Sequence, residues 1–182
     1  MEKSMLMPRQ PVPALDLPTL AGPRFVLAGE QPALMTMLVF YRGLHCPICA
    51  KYLLELERLL PEFEQRGIGA VAISSDGSER AAAMAAKIKA ARLRFAYGLP
   101  LSAAREWGLY ISTSRGQTSI GIDEPERFSE PGLFLVRPDG SLYYGAVQTM
   151  PFARPNFAEL LGALDFVVKS DYPARGEYDG PL

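Results

Sequence analysis

The sequence predicts an α/β fold, with a mixed central β-sheet flanked by helices on both faces. Three observations predict it. The run "ALMTMLVFY", residues 33–41, is apolar without Gly or Pro, which suits a strand buried on both sides in a parallel sheet. Immediately beyond it the apolar spacing changes to that of a helix, and strands and helices then alternate, implying right-handed parallel crossovers. Toward the C-terminus two strand-like runs flank Pro138-Asp139-Gly140, the mark of an antiparallel hairpin.

Residues 1–22 are rich in proline and have no period. They read as an extended lead-in that ends in a short hairpin around Ala21-Gly22-Pro23, with residues 24–27 as a strand. After the strand at 33–41, Ile48, Tyr52, Leu53, Leu56, Leu59, Leu60 and Phe63 follow helical spacing, while Lys51, Glu55, Arg58 and Glu62 take the other side. Pro61 should kink or end this helix and Gly67 should stop it. "IGAVAIS", residues 68–74, is the next strand. Residues 75–78 form a turn and cap an alanine-rich helix over about 79–91. "RFAYGL" around Phe95 is a weaker strand, and residues 102–107 a short helix halted by Gly108, with Trp107 in the core. Residues 111–129 carry Ser, Thr, Gly and charges without a period and read as a long surface loop, a class that is usually functional or mobile. "GLFLV", residues 132–136, and "SLYYGAV" beyond the turn form the hairpin. Asn156 with Glu159 resembles a capping box, opening a last helix with Phe157, Leu160, Leu161, Leu164, Val167 and Val168 as its apolar positions. Residues 171–182 form an irregular tail.

The 182 residues suit one domain, 1–182, and the formal net charge of −1 gives no basic excess for nucleic acid. The first residues lack the basic start and long apolar stretch of a signal peptide, and no run of about 18 apolar residues marks a membrane span. A cytoplasmic protein is the expectation.

The chain has two cysteines and one histidine, all within "FYRGLHCPICAKYL". In a reducing compartment such a pair is catalytic or metal-binding more often than structural. A structural zinc site takes about four ligands, which this cluster does not supply by itself, and two inert buried cysteines are the plainer alternative. The strand-to-helix junction puts Cys46 at a helix N-terminus, where unpaired N–H groups and the helix dipole favour a thiolate. Pro47 fits the first helical position. Cys49 lies one turn inward on the same face, placed to displace a product from Cys46 with no cofactor. Cys46 should therefore be the more exposed thiol with the lower pKa, and Cys49 the buried one. His45, if charged, would stabilise the thiolate; the alternative is a partly exposed loop histidine that tunes little. Arg42 shares the loop and could lend charge, or be solvated at the strand end.

"VFYRGLHCPIC", "PVPALDLPTLAGPRFVL" and "PGLFLVRPDGSLYYG" together resemble the thioredoxin-fold redoxins, and more narrowly the peroxiredoxin-like branch of the alkyl hydroperoxide reductase and thiol-specific antioxidant (AhpC/TSA) family. The resemblance implies a thioredoxin-like fold, with Cys46 as the reactive thiol and Cys49 as the resolving one. It implies a hydroperoxide or a protein disulfide as substrate, a thiol reductant such as thioredoxin or glutathione, and a homodimer as an assembly such a chain can form. Pro131, directly before "GLFLV", matches the cis-proline that faces the cysteine pair in many thioredoxin-like proteins, and a cis bond is expected there. The chain also departs from the family. Gly43 stands where peroxiredoxins have Thr or Ser three residues before the peroxidatic cysteine. Their upstream proline is missing, and their later arginine has no counterpart in "SEPGLFLV", which leaves Arg42 or Arg127 as substitutes. Thioredoxin's buried acid is replaced by apolar residues. A thiol peroxidase, a thioredoxin-like disulfide oxidoreductase and a non-catalytic redoxin-fold binding module all remain open at this point.

Overall fold

The computed structural model describes residues 5–181. A short antiparallel pair, β1 (Asp16–Leu17) and β2 (Phe25–Val26), closes the lead-in. Then come β3 (Met35–Phe40), α1 (Pro47–Gln65), β4 (Ile68–Ile73), α2 (Ser78–Lys87), β5 (Arg94–Ala96) and α3 (Leu101–Glu106). They are followed by β6 (Ile111–Thr113), β7 (Arg127–Ser129), β8 (Gly132–Val136), β9 (Leu142–Val147) and α4 (Phe157–Ser170).

The central sheet has five strands in the order β5-β4-β3-β8-β9. β3 pairs in parallel with β4, and β4 with β5, whereas β8 runs antiparallel to both β3 and β9. The mixed sheet expected from the sequence is therefore present. Successive residues of a strand point to opposite faces, and β3 divides accordingly. Met35, Met37 and Val39 join a core with Leu53, Leu56, Leu60 and Phe63 of α1, Met84 of α2 and Phe157, Leu161 and Leu164 of α4. Leu38 and Phe40 face the other way, into a core with Leu17, Phe25, Ala104 of α3 and Trp107. Helices cover both faces.

Several boundaries differ from expectation. α1 runs through Pro61 to Gln65. Leu60 and Phe63 are buried on either side of that proline, and burial of this face outweighs one lost backbone hydrogen bond. Leu27 opens a 3-10 turn instead of extending β2, and α2 ends at Lys87, short of residue 91. The segment 111–129 is not a loop throughout. Its ends pair as β6 and β7, and a bridge joins Gln117 to Asp123. Its backbone bonds, such as Ser114 N–H to the Glu126 carbonyl (2.9 Å) and Thr118 N–H to that of Ile122 (3.0 Å), hold largely exposed polar residues. Such a ribbon buries no stripe and so shows no period. At α4 the Asn156 side chain accepts from the Glu159 N–H at 3.0 Å, an N-cap as expected. Among the described residues no helix is long and apolar enough to cross a membrane.

Candidate active site

The sheet topology gathers one end of several strands at a single edge. β3 and β4 are parallel, so residues 41–46 and 74–77 leave them side by side at their carboxyl ends, the usual location for a site in such sheets. β8 is antiparallel to β3, so it begins at this edge, with Glu130 just before it. β9 is antiparallel to β8 and delivers residues 148–156 to the same edge.

Cys46 is the N-cap of α1, with extended backbone, and Pro47 occupies the first turn. The Cys49 N–H donates to Cys46 Sγ at 3.2 Å. This sulfur therefore satisfies one of the helix's free donors, a role that favours the thiolate. The Cys46 thiol is drawn down from 9.0 to about 6, first by the hydrogen bond from the Cys49 side chain, against the cost of burial, then by the Cys49 N–H and the charges of Arg154 and Arg42. Cys49 is pushed well up, first by burial and then by its bond to Cys46. The ordering expected from the sequence holds, but the expected exposure does not. Cys46 is 1% exposed and Cys49 0%. Both thiols are free.

Cys46 lies at the wall of a cavity of about 360 Å³, which is also lined by Arg42, His45, Arg115, Glu124 and Phe152. Cys46 lines it and Cys49 does not.

Asp76, whose side chain is 1% exposed, organises the loop before Cys46. Its Oδ2 accepts from the Leu44 N–H at 2.8 Å and its Oδ1 from Arg80 Nε at 3.0 Å. A Cβ on Gly43, which has φ +139°, would lie 2.7 Å from Asp76 Oδ2. Glycine therefore stands at the usual Thr position because the Asp76 carboxylate fills that space.

His45 is not a partly exposed loop residue. It is fully buried, with its ring 4.6 Å from that of Phe128. Its pKa is lowered from 6.5 to about 4, first by burial and then by Arg42. A neutral ring at pH 7 does not supply the positive charge that one of the two readings of the sequence gives it. Arg42 is close to the site, but its charge is shared. Nη2 lies 3.4 Å from Glu124 Oε1, Nε lies 3.4 Å from Glu130 Oε2, and the guanidinium covers Phe128 at 4.7 Å. Arg127 is 60% exposed and pairs with Glu126, which removes it as the substitute arginine. Pro131 is buried, but the expected cis bond is absent: no described residue has a cis peptide bond. The Glu130 N–H donates to the Tyr110 carbonyl (2.7 Å) and the Gln148 N–H to that of Pro131 (3.0 Å), so hydrogen bonds on both sides hold the chain on a trans path. Pro131 does not line the Cys46 cavity.

The residue that sequence reasoning missed is Arg154. Its Nη2 lies 3.0 Å from Cys49 Sγ and 3.9 Å from Cys46 Sγ. Nε donates to the Pro151 carbonyl at 2.8 Å, and the guanidinium lies 5.0 Å from the Tyr52 ring. The Tyr52 hydroxyl donates to the Pro155 carbonyl at 2.6 Å. The available signal was an arginine between apolar residues and prolines in "MPFARPNF", just before the α4 cap. The described residues hold no group of three or more His, Cys, Asp or Glu side chains placed for a metal ion.

The model of the AhpC/TSA family matches residues 8–145. No curated protein matches the chain in sequence. Among solved structures, the fold is similar to that of peroxidoxin BcpB from Mycobacterium tuberculosis, at 19% identity and a TM-score of 0.68, covering 89% of this chain and 98% of that one. It is similar to Mycobacterium bovis AhpC, at 16% identity and a TM-score of 0.72, covering 97% and 99%. The mitochondrial 2-Cys peroxiredoxin from Plasmodium falciparum gives 16% identity and a TM-score of 0.71, covering 91% and 96%. At these identities the likeness is one of fold, and the fold is thioredoxin-like.

Proposed function

The chain belongs to the AhpC/TSA family, whose members are thiol-dependent peroxidases and oxidoreductases, and on that premise we propose that it reduces hydroperoxides through Cys46, with Cys49 as the resolving thiol. The observation that carries this reading is a helix-capping thiol of lowered pKa at the wall of a cavity sized for a small molecule. The Cys46 thiolate attacks the terminal, hydrogen-bearing oxygen of ROOH. An S–O bond forms, the O–O bond breaks, and the alkoxide leaves and takes a proton from solvent. The product is a sulfenic acid. The Cys49 thiol then displaces water from it, giving a Cys46–Cys49 disulfide within one helical turn. Two equivalents of a thiol such as glutathione, or one dithiol such as thioredoxin, restore the pair. A reducing compartment such as the cytoplasm suits this cycle.

The cysteine spacing also suits a protein disulfide reductase. Burial weighs against it. A protein disulfide has to present its sulfur in line with the thiolate, and Cys46 is 1% exposed, at the wall of a cavity that Arg115, Gln117, Thr118, Pro151 and Phe152 also line. Arg154 takes the part expected of Arg42 or Arg127, because it reaches both sulfurs from outside the segment the family model matches.

The test is oxidation of the reduced protein by one equivalent of hydroperoxide, followed by thiol titration. Rapid loss of both thiols is expected. Cys46→Ser should abolish it, and Cys49→Ser should stop at a dimedone-reactive sulfenic acid. Slow loss with peroxide, combined with brisk reduction of an insulin disulfide, would replace the peroxidase with the reductase.

A further inference from the structure

The Cys46 cavity holds a second polar group whose chemistry the reaction above leaves unused. His45 lines it. Its Nδ1 lies 3.4 Å from Arg80 Nη2. A guanidinium only donates, so Nδ1 is the acceptor and the neutral ring carries its proton on Nε2. That Nε2–H is buried and has no hydrogen-bond partner in the protein. A buried donor without a partner costs free energy comparable to a lost hydrogen bond, and a donor kept this way at a reactive centre is suited to a ligand that arrives there.

We propose that His45 Nε2–H is the hydrogen-bond donor that holds the hydroperoxide against Cys46 and stabilises its leaving oxygen. The inference rests on the peroxidase reading. Asp76 closes the Gly43 position to any side chain, and His45, two residues on in the same loop, lines the cavity with Cys46. The same carboxylate orients Arg80, and Arg80 selects the tautomer. The Phe128 ring packs against the imidazole, its centroid 4.6 Å away. The groups facing the imidazole are Arg42, Arg80, Asp76 and Glu124, and two arginines against it suit a ring that stays neutral while the peroxide reacts. Charge builds on the alkoxide oxygen as the O–O bond breaks. A fixed donor there acts in the transition state more than in the ground state. His45 keeps its proton throughout.

Two reactions of the same sulfur separate this role from a structural one. Iodoacetamide alkylation needs the thiolate but no donor for a leaving alkoxide. In His45→Leu the second-order rate constant with tert-butyl hydroperoxide should fall by about 100-fold, while alkylation at the same pH stays within about twofold of wild type. His45→Gln, whose side-chain amide can return an N–H near the Nε2 position, should recover at least about tenfold of that loss. The inference is overturned if His45→Leu reacts with hydroperoxide as wild type does, or if its two rates fall together. A wild-type protein that alkylates normally but ignores hydroperoxide overturns the peroxidase reading itself, a result distinct from either.

Discussion

At the scale of single residues, charge decides the chemistry. Cys46 and Cys49 lie in one helical turn, yet their thiols move in opposite directions because one caps the helix and the other is sealed beneath it. A native thiol lowered from 9.0 to about 6 is mostly thiolate at pH 7. Its alkylation rate should therefore rise through about pH 6 and then level off. Removing the Arg154 guanidinium withdraws an attraction for the thiolate, so in Arg154→Met the rise moves to higher pH. The loss should reach about tenfold at pH 5, where thiolate is the minority form, and should be small above pH 8. Rates of iodoacetamide labelling across pH check this; an unshifted profile would remove Arg154 from the site. Gly43 gives a second prediction. Gly43→Thr restores the familiar residue but drives its Cβ against a carboxylate pinned by Leu44 and Arg80, at a backbone conformation side chains avoid. Destabilisation of about 1–3 kcal/mol is expected in urea unfolding, and Gly43→Ala should cost as much, because the Cβ makes the contact. The cysteine pair and its order of acidity were legible in the sequence, because helix capping is a local effect. The neutrality of His45 was not: its first cause is burial, and the ring is packed against Phe128, 83 residues away in the chain.

At the scale of elements, α1 positions the site through contacts along its whole length. Its first turn carries the cysteines, Tyr52 anchors the loop that bears Arg154, and Glu57 fixes the segment between α2 and β5. The Glu57 carboxylate accepts from the backbone N–H groups of Ala91, Arg92 and Leu93 at 2.9, 3.0 and 2.8 Å. Three donors on one partly exposed carboxylate are worth more than a surface ion pair. Glu57→Ala should cost about 2 kcal/mol, and Glu57→Gln, which keeps one acceptor oxygen, less; denaturant midpoints measure both. The strands of the sheet were readable because burial leaves a period or an apolar run. Residues 111–129 hid β6 and β7 because that ribbon is held by backbone bonds among exposed polar residues. Its buried apolar anchor, Phe128, is a single residue and makes no pattern. Arg154 was hidden for a related reason: nothing local links it to residues 46 and 49, and only the direction of β9 brings it to them.

At the scale of the whole molecule, the sheet order converts sequence separation into proximity. The parallel β3–β4 pair sets the Cys46 loop beside Asp76, and the antiparallel β8 and β9 return Glu130 and Arg154 to the same edge. One cost of this convergence falls on overall stability, because His45 is buried among these groups. Its native pKa, about 4, is below its ordinary value of 6.5. Below pH 6.5 the unfolded chain therefore takes up a proton on this residue that the native protein refuses. The stabilisation from burying a neutral ring is complete above pH 6.5. It declines as pH falls toward 4, where it levels off after a loss on the order of 3 kcal/mol. Acid also protonates carboxylates of the unfolded chain in this range, a contribution common to the wild type and His45→Gln. The informative quantity is the difference between the two proteins in urea-unfolding free energy at matched pH. From pH 7.5 to 4 the wild type should lose more than His45→Gln by about that amount, with the steepest divergence between pH 6 and 4.5. Parallel curves for the two proteins would mean that the imidazole takes up its proton as readily in the fold as outside it, and the buried neutral ring would no longer describe this site.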